Sequence, residues 1–167
     1  ISADTGWTRE ALTDQPLNID FKERFLPTVA RHGMVVGPEQ LATEIGSRIL
    51  QQGGNVVDAA VATGFALAVT YPSAGNLGGG GFMLIHLAEG NRQVFIDYRE
   101  TAPAAARRDM FLLADGKEDL QREYYSLQAS GVPGTVAGLL HALETYGSLS
   151  REQVLAPAIA LAQEGIP

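Results

Sequence analysis

Apolar positions along the chain repeat with two different periods. Leu41, Ile45 and Ile49 recur at i, i+4 and i+8, which predicts an amphipathic helix with one apolar stripe. Pro38 is expected at its first helical position, where a missing N–H costs nothing, and Gly53-Gly54 supply the left-handed stop. Asn55 then serves as an N-cap, with Asp58 near the positive end of the next helix dipole. From Ala59 to Val69 that helix is apolar nearly all round, so burial on most faces is expected, until Tyr71-Pro72 ends it. The run from His32 to Gly37 reads as a short buried strand. Phe82 to Leu87 reads as a strand with both faces buried, joined through Glu89-Gly90-Asn91 to a partner strand from Gln93 to Tyr98. Farther on, Pro133 opens a helix whose apolar face is Val136, Leu139, Leu140 and Leu143, closed by Gly147. Ser150-Arg151-Glu152-Gln153 is a capping box for the last helix, in which Pro157 predicts a kink or two short turns.

Helices and an antiparallel hairpin in separate blocks read as α+β, with helices layered on a sheet. Two or three strands make a poor sheet for so many apolar helices, so further strands are expected from another chain or from sequence beyond this one. Residues 1–32 form a polar, irregular segment broken by Pro16 and Pro27, whose aromatics Trp7, Phe21 and Phe25 are expected to pack along a surface. Residues 33–167 form the domain proper, with a polar surface excursion from Asp109 to Glu123.

Composition narrows the function classes. The 167 residues suit about one domain, and 46% hydrophobic content allows a sizeable core. A net charge of −7 without any run of Lys or Arg argues against nucleic acid as a partner. The absence of cysteine excludes disulfides, zinc–thiolate sites and thiol nucleophiles together. The longest apolar run is shorter than the roughly 20 residues of a membrane span. The chain starts at Ile1, not Met; a cleaved leader is expected, and with it a bacterial periplasmic or secreted location.

Candidate chemistry gathers around Pro72 to Met83, where Gly78, Gly79, Gly80 and Gly81 are consecutive. Four glycines are costly to order and persist where side chains must be absent. No Lys follows them, and the order helix–loop–strand is the reverse of a dinucleotide fingerprint, so nucleotide binding is disfavoured. Close backbone packing and the lining of a small-molecule site remain as readings. Arg99 falls just past the second hairpin strand, where its planar fork suits a carboxylate; Asp97 and Glu100 flank it and allow a local ion pair as the plainer alternative. Arg107 and Arg108 are weaker candidates. His32, His86 and His141 are far apart, and His141 with Glu144 at i, i+3 falls short of a metal site. Ser73 and Ser130 have no evident base partner.

Four ordered motifs change the picture. Asn55 to Ala62, Pro72 to Met83, Asp97-Tyr98-Arg99-Glu100-Thr101-Ala102-Pro103 and Ser130 to Gly138 together resemble the γ-glutamyltranspeptidases, in the N-terminal part of that family's large subunit. The resemblance implies an N-terminal-nucleophile hydrolase fold, a four-layer αββα sandwich of which this chain supplies part. It also implies autoprocessing of a precursor, with the nucleophile a threonine at the new N-terminus of a small subunit and its α-amino group as base. That small subunit, and the rest of the large subunit beyond Pro167, are the implied partners. The implied reaction is transfer of the γ-glutamyl group of glutathione or related amides to water or an amino acid, without metal or organic cofactor. Only Arg99 matches a binding residue, the arginine that holds the α-carboxylate of the glutamyl moiety; the glycine run is taken as structural, letting the 59–69 helix meet the first strand. A glutaryl or cephalosporin acylase of the same fold, and a catalytically silent scaffolding chain, are the alternatives.

Overall fold

Asn55 opens the helix against which the other long helices pack. Its side chain accepts from Val57 N and Asp58 N at 2.8 and 3.1 Å, while the Asp58 carboxylate accepts from Asn55 N at 2.7 Å, a reciprocal cap. The computed structural model describes residues 28–166. The chain divides into two units, Ile1–Arg31 and His32–Pro167. The expectations for Trp7, Phe21 and Phe25 lie outside the described residues.

Helix α1 (Gln40–Gln51) begins at Glu39, whose carboxylate accepts from Leu41 N and Ala42 N at 2.8 and 2.9 Å. Pro38 therefore precedes the cap and does not open the helix as expected, because a side-chain acceptor at Glu39 satisfies the first amides. The stripe forms as read, with Ile45 and Ile49 buried alongside Ala42. Gly53 turns the chain at φ +92°, a conformation that favours glycine. Helix α2 (Val56–Thr70) follows and is the centre of the core, burying Val57, Val61, Ala62, Phe65 and Ala66. Residues 32–37 do not form the expected strand. They have no regular secondary structure and no strand pairing among the described residues, and Val36 is 83% exposed. Apolar content alone makes no strand where no neighbouring backbone completes the ladder.

Strands β1 (Phe82–Leu87) and β2 (Arg92–Asp97) pair antiparallel, from Phe82 opposite Asp97 to Leu87 opposite Arg92. Gly90 at φ 72° and Asn91 at φ 48° make the turn between them. The expectation of two buried faces fails here. Met83, Ile85, Leu87, Val94 and Ile96 face the helices, while Phe82, Leu84 and Phe95 are 56, 71 and 62% exposed. The Phe82 and Phe95 rings stack with centroids 5.9 Å apart on that outer face. Side chains alternate across a strand, and the described helices cover one side only.

After a surface excursion containing the short helix α3 (Leu120–Tyr125), helix α4 (Thr135–Tyr146) returns to the core. Its buried face is Gly138, Leu139, Ala142 and Leu143; Val136, expected there, is 39% exposed. Helix α5 (Arg151–Glu164) starts at the expected capping box, Ser150 N donating to Gln153 Oε1 at 3.0 Å. Pro157 sits inside it without dividing it into the two short turns offered as one expectation. The lost hydrogen bond to the Gln153 carbonyl is tolerated while Val154 and Ala158 on either side stay buried.

The α4–α5 connection is tied back to α2 by Asp58, which is fully buried. Its Oδ1 accepts from Ser148 N and Leu149 N at 2.9 and 3.2 Å, and its Oδ2 from Ser148 Oγ at 2.6 Å. Burial pushes the carboxyl pKa up, but these bonds and the one from Asn55 N outweigh it, so the group ends below the usual carboxylate value. Among the described residues, no helix is long and apolar enough to cross a membrane.

Candidate functional site

Three segments meet at the end of the hairpin and are joined by backbone hydrogen bonds. Tyr98 N donates to Gly81 O at 3.0 Å and Gly81 N to Tyr98 O at 3.4 Å, extending the strand pairing by one residue. Gly79 O accepts from Gly134 N and Thr135 N at 2.8 and 3.0 Å, capping the start of α4. Thr101 and Val132 exchange both bonds, at 2.8 and 3.2 Å. The glycine run, the residues after β2 and the entry to α4 therefore form one junction.

Glycine is required where these backbones touch. A Cβ at Gly80 would stand 2.6 Å from Tyr98 O and 2.7 Å from Glu100 N. A Cβ at Gly134 would overlap the Tyr98 carbonyl, with the carbonyl carbon at 2.8 Å. The expectation that Gly78 to Gly81 bring α2 and β1 together is corrected: Gly80 and Gly81 abut Tyr98 and Glu100, while within this loop it is Gly75 that touches α2, at Leu67.

Arg99 stands in the middle of this junction, on the residue after Tyr98. Its backbone N–H donates to Asp97 Oδ1 at 3.0 Å, which fixes the turn out of β2. Its Nε lies 3.1 Å from Glu100 Oε2, and its side chain is 67% exposed. Both terminal nitrogens are without a protein partner among the described residues. A guanidinium held at Nε, with its outer fork open, is set to take a carboxylate through two parallel bonds. The flanking acid noted in the sequence is thus present, but it occupies only one edge of the guanidinium. Tyr98 beside it is half-buried, and burial raises its phenol pKa, so the ring stays neutral.

The other candidates are not brought here. Arg107 lies 3.8 Å from Asp109 in an exposed pair, and Arg108 is exposed. His32, His86 and His141 are exposed; His141 Nδ1 meets Thr145 Oγ1 at 3.5 Å, and Glu144 pairs with Arg151. Among the described residues, no three His, Asp or Glu side chains gather as a metal site. Ser73 and Ser130 are exposed. Sequence reasoning missed Tyr98, Gly134 and Gly138 as parts of the site. The advance signal was that all three fall inside the four motifs, Tyr98 in 97–103 and Gly134 and Gly138 in 130–138.

Comparison with known proteins follows the same lines. The family model described as gamma-glutamyltranspeptidase matches residues 42–167. The glutathione hydrolase proenzyme of Escherichia coli K12 is 54% identical over 141 residues, which is 84% of this chain and 24% of that protein. The chain thus spans about a quarter of the length of the curated relatives it matches. The crystal structure of Helicobacter pylori gamma-glutamyltranspeptidase aligns at a TM-score of 0.80 with 45% identity, over 84% of this chain and 40% of that one. The cephalosporin acylase of Bacillus halodurans aligns at 0.67 with 26% identity, over 89% of this chain and 28% of that one. With the family model covering the hairpin, the glycine junction and both flanking helix pairs, the chain belongs to the γ-glutamyltranspeptidase family.

Proposed function

We propose that the chain is part of a γ-glutamyltransferase/glutathione hydrolase and supplies the arginine that binds the donor's α-carboxylate. The observation that carries this reading is the open fork of Arg99, anchored at Nε and rooted in a junction of glycine backbones. The nucleophile is an N-terminal threonine on a partner chain cut from the same precursor. Its Oγ attacks the γ-amide carbonyl while its own α-amine takes the hydroxyl proton, and that proton passes to the departing amine. Water or an amino acid then attacks the γ-glutamyl ester and releases the threonine. In this scheme Arg99 does no proton transfer; it fixes the donor so that the γ-carbonyl meets the nucleophile.

The finer fold belongs to the same proposal. The outer face of the hairpin, with Phe82, Leu84 and Phe95, suits a second sheet laid against it, as a four-layer αββα sandwich requires. The protein is proposed to act in the bacterial periplasm or outside the cell; recovery of the mature enzyme in the cytoplasmic fraction would contradict that location.

Arg99 is tested in the assembled enzyme. Arg99→Ala removes the bidentate contact and is expected to raise KM for a γ-glutamyl anilide by about 10- to 100-fold, since hydrogen bonds to a charged group contribute about 1.5–3 kcal/mol. Arg99→Lys keeps the charge but not the fork and is expected to fall between. Unchanged KM in both would overturn the assignment. The likeness to a cephalosporin acylase makes a glutaryl anilide the informative second donor: faster turnover of that compound would move the substrate class to glutaryl amides.

A further inference from the structure

Arg99 is held by something more specific than a turn. The Tyr98 ring lies in a slot between Gly81 at the start of β1 and Gly138 on the buried face of α4. A Cβ at Gly81 would stand 2.9 Å from Tyr98 Cε2 and 3.1 Å from its hydroxyl oxygen. A Cβ at Gly138 would overlap Tyr98 at Cβ and Cγ, with Cδ1 at 2.6 Å. The ring is thus gripped on two sides by backbone that carries no side chain. Ring and guanidinium leave the chain from adjacent residues, so their Cα atoms are 3.8 Å apart across one rigid peptide. Whatever moves the ring moves the root of Arg99. The helix that grips the ring is also the helix whose first amides bond Gly79 O, so the slot and the glycine run share one frame.

We propose that Tyr98, seated between Gly81 and Gly138, is a positioning residue that sets where the Arg99 fork meets the donor's carboxylate. The inference rests on the reading of Arg99 as the carboxylate ligand. The slot then has a consequence for substrate binding that differs from its contribution to stability. Binding geometry is sensitive on the scale of about 1 Å, where rate losses reach about 100-fold. A crowded slot displaces the fork by part of that distance and leaves the threonine chemistry on the partner chain untouched.

The test uses the assembled enzyme and two donors, a γ-glutamyl anilide and a 4-aminobutyryl anilide, which differ only in the α-carboxylate. Gly138→Ala is expected to raise KM for the first about tenfold, with kcat changed less than threefold, and to leave kcat/KM for the second within about twofold. Equal losses on both donors would mean a general lesion and would overturn the proposal. Tyr98→Ala empties the slot without crowding and is expected to raise the γ-glutamyl KM similarly; no rise there overturns the proposal even if Gly138→Ala fails to fold. In the Tyr98→Ala background, adding Gly138→Ala is expected to raise KM clearly less than it does alone, because the contacts to the ring at Cγ and Cδ1 have gone and only the one at Cβ remains. A full additional tenfold would overturn the coupling. If Arg99→Ala leaves KM unchanged, the reading of Arg99 fails and takes this inference with it; if Arg99→Ala raises KM while the slot variants do not, only the inference fails.

Discussion

Replacing Asp58 by Asn tests how far one buried carboxylate holds the α-helical layer together. Four donors converge on its two oxygens: Asn55 N, Ser148 N, Ser148 Oγ and Leu149 N. Ser148 N is shared between Oδ1 and Oδ2, at 2.9 and 3.1 Å. Asparagine keeps one acceptor and turns the other into a donor. With its NH₂ in the place of Oδ2, Asn55 N loses its partner; with its NH₂ in the place of Oδ1, Leu149 N does. Either flip strands one backbone amide, at about 1–3 kcal/mol, and removes the charge that strengthens the remaining bonds. Asp58→Asn should therefore cost about 2–4 kcal/mol, and Asp58→Ala more. The assay is amide hydrogen exchange over residues 147–150 together with thermal denaturation of the assembled protein. A local loss of about 2 kcal/mol corresponds to exchange roughly 30-fold faster at Ser148 and Leu149. The loss also depends on pH. The folded carboxyl sits below its ordinary value, so its contribution is complete above about pH 4 and fades as pH falls through the lower folded pKa. The gap between wild type and Asp58→Asn should close over that acid range. Exchange within threefold of wild type at neutral pH would refute the reasoning.

Two further outcomes are expected. Ser150→Ala removes the acceptor for Gln153 N at the start of α5 and should lower stability by about 1 kcal/mol in thermal denaturation with no change in donor KM; a shift below about 0.3 kcal/mol would mean the cap is redundant. Leu84→Asp places a charge on the outer hairpin face, 71% exposed at that position, and should abolish co-elution of the chain with its partner polypeptide in size exclusion; normal assembly would show that the face is not covered.

What could be read from the sequence was what neighbouring residues decide. The α1 stripe, the Asn55 cap and the Ser150 box are local, and each appears where the spacing puts it. The hairpin was legible as two strands, but not its exposure, because Phe82, Leu84 and Phe95 are as apolar as the residues on the inner face. Val136 differs from expectation for a related reason: large apolar side chains mark a buried face in sequence, whereas α4 buries Gly138, where absence of a side chain admits the Tyr98 ring. Beyond Asn55, the partners of Asp58 are Ser148 and Leu149, 90 and 91 residues away and beyond any periodicity. Arg99 could be singled out from its place after a strand, but the glycines around its root come from two other segments and meet it only in the folded chain.

The Gly79 carbonyl, bonded to two amides at the head of α4, belongs to a junction closed almost wholly by main-chain atoms. Main-chain donors and acceptors are present whatever the side chain, except at proline, which lacks the N–H. Substitution can therefore alter the outward-facing residues of these segments while the frame under Arg99 persists. A deep mutational scan should record this as an uneven map, broadly permissive across Pro72–Ala74 and Ser130–Val132, and intolerant of a single added methyl at Gly75, Gly80, Gly134 and Gly138. Selection at this junction acts through excluded volume.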